Sequence, residues 1–324
     1  MSKPFLIAAT ATAVASGVGA YLWHEQTRPP ILEMYVFALK SGRSMFIRTP
    51  DDQRILIDGG GNSQVIQQLT GIIPFYSRRI NTIIVTNTDG KNVSGLVDIV
   101  GRYLVDKVYV PKFTLENLGI ASSTDKIYET FLETVKQKNI KIREVEAEDK
   151  LVLGQGIGNL NNSQLSMIAQ AKSSSVTSVV AKIIFPAQPE SFDYSKASAP
   201  ELLFNISYGD SSILFMGDAS KKVQKFVAES SAIVTSVSPP TIADVDVLIV
   251  SHSAVAGNMS PEFMNLVRPE SLVYEKVVTN KKTPKNVVVD PLAAILDENR
   301  FNLKEVGTIK IVSDGKEVII KGNN

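Results

Sequence analysis

Cysteine is absent from the 324 residues, which excludes disulfides, thiolate zinc sites and cysteine nucleophiles together. Histidine is almost absent: only His24 and His252 occur. Because His24 adjoins an apolar run, a domain folded downstream has one imidazole, His252, to use in chemistry. An excess of charge is missing as well. Thirty-four Lys and Arg face 33 Asp and Glu, for a net charge of +1, without the basic surplus that phosphate-driven nucleic-acid binding draws on. The short pairs Arg78-Arg79, Lys221-Lys222 and Lys281-Lys282 read as solvated surface. What is present suits a globular protein: 44% of residues are hydrophobic and 21% charged, on a chain long enough for a sizeable core.

One long uncharged run stands out, from Pro4 to Trp23. At about 1.5 Å rise per residue it just spans a hydrocarbon core of roughly 30 Å as a helix. Lys3 flanks one end, and Tyr21 and Trp23 suit the opposite interface. The positive-inside rule places Met1 to Lys3 in the cytoplasm and the rest outside, although Arg28 weakens the asymmetry. The alternative is a cleaved signal segment, for which Val18-Gly19-Ala20 offers small residues. The sequence thus divides into residues 1–27, a membrane anchor or signal, and residues 28–324, one extracytoplasmic domain (secreted if the segment is cleaved).

Past Arg28-Pro29-Pro30, short β-rich runs alternate with helical periodicity. Strands are expected at Ile31–Leu39, Met45–Arg48, Arg54–Ile57, Thr82–Val85, Val108–Val110, Ile140–Val145, Leu151–Leu153, Thr177–Phe185, Leu202–Ser207, Ile213–Met216, Val245–Val250 and Leu272–Val278, with a closing hairpin around Ser313-Asp314-Gly315. Helices are expected up to Leu69 and over Val93–Leu104, Thr124–Lys138 and Pro261–Val267, with another starting near Ser220. Hairpins at both ends and β/α units between them predict an α/β (α+β) fold of two sheets sandwiched between helices.

Polar clusters follow several buried strands: Asp58 before Gly59-Gly60-Gly61, Thr86-Asn87-Thr88-Asp89-Gly90-Lys91-Asn92, Gly217-Asp218, and Ser251-His252-Ser253. Strand carboxyl ends are where α/β proteins tend to place ligands. In this order the clusters resemble the metallo-β-lactamase superfamily, and more narrowly the extracytoplasmic β-lactamase-like domain of the ComEC competence proteins. Arg48-Thr49-Pro50-Asp51, Ser94-Gly95-Leu96, Tyr208-Gly209, Ser260-Pro261-Glu262-Phe263 and Arg268-Pro269 fall in family order too, from about Ile31 to Ile320. The resemblance implies an αββα sandwich behind one N-terminal transmembrane helix. The multi-helix channel that accompanies the domain in ComEC proteins has no counterpart in this sequence.

The departures from the family bear on function. The family's metal loop reads T-H-x-H-x-D-H, and this chain aligns to it without a gap. Asn87, Asp89 and Asn92 stand at the three histidines, and Lys91 at the aspartate. A primary amide is a poor zinc ligand and an ammonium is none. Without a metal no bound water is acidified to a hydroxide nucleophile. The family's Val-Gly-Gln-Gly-Asp segment is altered as well, to Leu39-Lys40-Ser41-Gly42-Arg43-Ser44. Neither a catalytic residue nor a cofactor is therefore expected, and Lys91 is expected to fill the vacated metal position, paired with Asp218 or Asp89. Asp58, Asp89, Asp218 and His252 remain at matching positions. Either they persist as structure, with Asp58 bonding backbone at its glycine corner and Asp218 capping the helix near Ser220, or they hold one hard cation such as Mg²⁺ or Mn²⁺.

Two functions follow as expectations. The first is a catalytically inactive, membrane-tethered binding or assembly module with a protein partner. The second is a single-metal hydrolase acting on phosphodiesters, or a nuclease. Nucleic acid as a partner rests on family analogy alone.

Overall fold

The computed structural model describes residues 30–112, 125–155, 178–187, 191–192, 201–233, 242–251, 259–275 and 295–322. Residues 1–27, on which the anchor or signal expectation falls, lie outside them. No helix among the described residues is long and apolar enough to cross a membrane.

The chain opens with three antiparallel strands, β1 (Leu32–Val36), β2 (Met45–Arg48) and β3 (Arg54–Ile57). The Thr49-Pro50-Asp51-Asp52 turn between β2 and β3 closes on a bond from the Gln53 amide to the Thr49 hydroxyl. Helix α1 (Gln64–Thr70) leads to β4 (Arg79–Ile84), which pairs parallel with β3. Helix α2 (Gly90–Arg102), β5 (Leu104–Pro111), α3 (Asp125–Gln137) and β6 (Lys141–Val145) extend the parallel run. Next come β7 (Lys150–Gln155), β8 (Ser178–Phe185), β9 (Leu203–Tyr208) and β10 (Ser211–Gly217), antiparallel throughout. The remaining elements are α4 (Lys221–Ile233), β11 (Val247–Val250), α5 (Pro261–Val267), β12 (Ser271–Tyr274), β13 (Arg300–Asn302), α6 (Leu303–Val306), β14 (Ile309–Ser313) and β15 (Val318–Gly322).

These strands form two sheets, ordered β15-β14-β1-β2-β3-β4-β5-β6 and β13-β12-β11-β10-β9-β8-β7. The layering follows from the two-residue side-chain period of a strand. In β2, Met45 and Ile47 face the core between the sheets, whereas Phe46 points into an outer core with Leu96 and Ile99 of α2 and Phe131 of α3. In β10, Ile213 and Phe215 enter the same inter-sheet core, whereas Leu214 and Met216 meet Val227 of α4 and Phe263 of α5. A strand apolar on both faces has to be covered on both sides, so helices pack outside each sheet. The result is a mixed α/β fold of two facing sheets between helical layers.

Element boundaries differ from expectation where caps decide. Helix α2 starts three residues before the expected Val93 because the Asp89 carboxylate accepts the Lys91 amide and caps it. Leu104 belongs to β5 instead of to the helix. The Ser220 hydroxyl, not Asp218, accepts from Val223 at the start of α4, which corrects the expected capping role of Asp218.

Parallel pairing brings the carboxyl ends of β3 and β4, and of β10 and β11, to one rim of the sandwich. The polar clusters lie there.

Candidate functional site

Asp58 follows β3 in the left-handed region, at φ 56°, and is fully buried. Its Oδ1 accepts the Thr86 amide at 2.8 Å and its Oδ2 accepts the Thr86 hydroxyl at 2.5 Å. A third donor comes from the altered Leu39–Ser44 segment: Arg43 Nε, 3.0 Å from Asp58 Oδ2.

Arg43 is the centre of the rim. One terminal nitrogen, Nη2, donates to the Glu201 carboxylate and, at 2.6 Å, to the Thr86 hydroxyl. The other, Nη1, donates to the Ser251 hydroxyl at 2.9 Å and lies 3.2 Å from Asp218 Oδ2. The guanidinium carbon sits 5.4 Å from the centre of the Phe215 ring, a cation–π contact at the floor of the site. One planar cation thus reaches carboxylates contributed by β3, the start of β9 and the end of β10, a division of donors that a guanidinium fork allows and an ammonium does not.

Two glycines make room for this. Gly42 has φ +69°, and a Cβ there would lie 1.6 Å from the Lys91 carbonyl oxygen. Gly217 has φ +59°, and a Cβ there would lie 2.0 Å from Glu201 Oε1. Only glycine meets both conditions at these positions.

Asn87 and Asn92 carry a chain of amides. Asn92 Oδ1 accepts the Arg43 backbone amide at 3.2 Å, and Asn92 Nδ2 donates to Asn87 Oδ1 at 3.0 Å. Asn87 Nδ2 in turn donates to Glu201 Oε2 at 2.9 Å. An amide donates and accepts at once, so each asparagine is consumed in holding the next residue.

Three carboxylates surround one buried guanidinium, and Lys91 reaches only the outermost of them, Asp218. Burial disfavours the charged form of Arg43, but Glu201, Asp58 and Asp218 outweigh it and hold the group above its usual value. Burial raises Asp58 against the opposing pull of Arg43 and Thr86. Burial also pushes Glu201 up to about 7; Arg43 and Asn87 oppose this, whereas Asp218 and Asp58 add to it.

Of the residues expected at the site, Asp58 and Asp218 face Arg43. Asp89 caps α2 and lies 3.3 Å from Lys91 Nζ. Lys91 also approaches Asp218, at 3.6 Å, but its side chain is half exposed. The expected pairing of Lys91 with Asp218 or Asp89 is met on both counts, whereas the expectation that Lys91 fills the position between the carboxylates is corrected: Arg43 stands there. As the second residue of α2, Lys91 projects away from the face that buries Asn92 and Val93. His252 lies outside the described residues. Glu201 was not anticipated. It follows a Pro-, Ser- and Ala-rich stretch without a motif, and its only sequence signal is a lone carboxylate abutting the buried pair Leu202-Leu203.

The resemblance implies metal ions at this rim, and the residues present do not fit them. The space among Asp58, Glu201 and Asp218 is taken by a guanidinium, and the loop amides are committed to one another. Among the described residues no three His, Asp or Glu side chains group as a metal cage. No chemical step is therefore assigned to a metal.

No protein-family model matches the chain, and no curated protein matches it. Solved structures similar to it include the metallo-β-lactamase fold protein YhfI from Bacillus subtilis, at 10% identity and a TM-score of 0.46 over 84% of this chain and 95% of that one. A diphosphatase from the PhnP family aligns at 10% identity and TM-score 0.46 over 87% and 98%. Zn²⁺-bound PqqB from Methylobacterium extorquens aligns at 12% and 0.43 over 74% and 88%. The likeness is one of overall fold.

Proposed function

We propose that this chain is a catalytically inactive binding or assembly module, tethered to the membrane from the outside by its N-terminal apolar segment, in which an internal arginine takes the place of catalytic metal. The observation that carries this reading is the Arg43 guanidinium, bonded to Asp58 and Glu201 and paired with Asp218. Among the described residues, donors and acceptors that already satisfy one another offer a reacting molecule neither a nucleophile nor a free Lewis acid. A rim closed to chemistry in this way is left to serve as a docking surface for a protein partner. The uncharged Pro4–Trp23 run supports the tether, and the net charge of +1 gives nucleic acid no foothold.

A phosphodiesterase assay tests the reading. With bis-p-nitrophenyl phosphate and added Zn²⁺, Mn²⁺ or Mg²⁺, the full chain is expected to turn over no faster than the protein-free control. Turnover that disappears in Asp218→Ala would replace this proposal with the single-metal hydrolase.

A further inference from the structure

The rim opposite Arg43 carries a feature that the site does not use. Between α1 and β4 the chain runs Pro74-Phe75-Tyr76-Ser77-Arg78, with Phe75 82% and Tyr76 68% exposed and packed edge-to-face on each other. Leu104, 70% exposed, lies beside them, its amide bonded to the Arg78 carbonyl at 2.9 Å. Arg78 follows Tyr76 by two residues and holds Leu104 through its carbonyl, and Arg102 ends α2 two residues before Leu104; both are exposed, so both bring positive charge to this end of the sheet. Among the described residues Arg79 is paired with Asp106, whereas Arg78 and Arg102 have no carboxylate partner. Two bare aromatic rings and an apolar side chain ringed by uncommitted arginines match the chemistry of an anionic bilayer interface, where amphipathic rings sit at headgroup depth and guanidinium groups meet phosphate.

The position of the patch fits that occupant. The Tyr208 hydroxyl donates to the Pro30 carbonyl at 2.8 Å, so the chain enters the fold where β1 begins. Strand registry sets the start of β1 beside the β2–β3 turn and the starts of β4 and β5. At roughly 4.8 Å between neighbouring strands, the patch lies about 14–19 Å along this rim from Pro30. The six residues from His24 to Pro29 span up to about 20 Å when extended, enough for the patch to reach the surface in which an apolar segment ending at Trp23 would sit. Beyond Pro30 the rim is acidic, with Asp314 and Glu317 in the β14–β15 turn of the first sheet and Asp210, Asp246 and Glu270 on the second, so the two halves are not equivalent toward anionic lipid.

We infer that Phe75, Tyr76 and Leu104, with Arg78 and Arg102, form a second contact with the anionic bilayer that holds the N-terminal segment, fixing the domain with its Arg43 rim turned away from the membrane. The inference rests on the tethered reading above.

The absence of cysteine permits a direct test. Tyr76→Cys and, as a control on the opposite rim, Lys40→Cys are made in the full chain, labelled with an environment-sensitive fluorophore and reconstituted into vesicles with and without phosphatidylglycerol. The label at position 76 is expected to shift to the blue and to be quenched by spin-labelled lipid, more strongly with phosphatidylglycerol, while the label at position 40 keeps its aqueous emission. Adding Arg78→Glu and Arg102→Glu is expected to reduce the shift. Equal, water-like emission at both positions from a chain that resists carbonate extraction would overturn the contact and leave the tether intact. Release of the chain by carbonate would overturn the tether and the contact with it. Shielding that persists in detergent and grows with protein concentration would assign the patch to a second copy and overturn the lipid contact.

Discussion

Replacing Arg43 by methionine is expected to lower stability by about 3–5 kcal/mol at pH 7, the range for removing one partner of a buried ion pair. The physical cause is specific. Methionine fills much of the volume but leaves Asp58, fully buried, and Glu201, nearly so, facing each other and Asp218 without a cation. The Thr86 and Ser251 hydroxyls lose their donor as well. Urea unfolding of the purified variant measures the loss. Lys91→Met provides the contrast: its pairs with Asp89 and Asp218 span 3.3 and 3.6 Å on a half-exposed side chain, and exposed pairs of this kind contribute about 1 kcal/mol or less. Equal losses for the two variants would refute the assignment of Arg43 as the internal cation.

Stability is expected to fall as pH rises from about 5 to 8, through Glu201. Its carboxyl is raised from 4.5 to about 7 by burial, with Asp218 and Asp58 adding to the effect and Arg43 and Asn87 opposing it. Between those values the folded chain keeps a proton that the unfolded chain releases. The folded state therefore binds more protons, and its stability drops with pH until about 7, beyond which both states are ionised. The contribution lost is on the order of 3 kcal/mol, or roughly 4–5 °C in Tm for a chain of this size. Asp58 is raised as well and acts in the same direction. With only two histidines in the chain, few other side chains titrate in this window. Calorimetry from pH 5 to 8 reads the slope, and Glu201→Gln is expected to flatten it. A wild-type Tm that is level across the range, or an unchanged slope in Glu201→Gln, would count against a proton held by Glu201 in the folded state.

Much of the fold was legible because the outer and inner cores impose a period on the strands. The run Ser178–Phe185 alternates half-buried and buried residues without a break, and Arg54–Ile57 and Val247–Val250 are short apolar runs bounded by polar corners. Asp58 and Asp218 were legible as site positions because each follows such a strand. Arg43 and Glu201 were not. They lie 158 residues apart, Arg43 in a segment noted only as altered and Glu201 in one without a motif, and their meeting is a product of sheet packing that local pattern does not encode. The loop from Thr86 to Asn92, where the chain departs most from the family it resembles, points by its charge to Lys91. There the helical period decided otherwise, burying Asn92 and Val93 and turning Lys91 toward solvent.

The central proposal is that the Arg43 guanidinium stands where the resemblance implies a metal. Elemental analysis of the full chain, purified without chelator, offered Zn²⁺, Mn²⁺ and Mg²⁺ and then desalted, tests it most directly. Substitution by Arg43 predicts less than about a tenth of an equivalent of each metal, because Asp58, Glu201 and Asp218 are already bound to a cation that does not dissociate. About one tightly held equivalent, lost in Asp218→Ala, would contradict it.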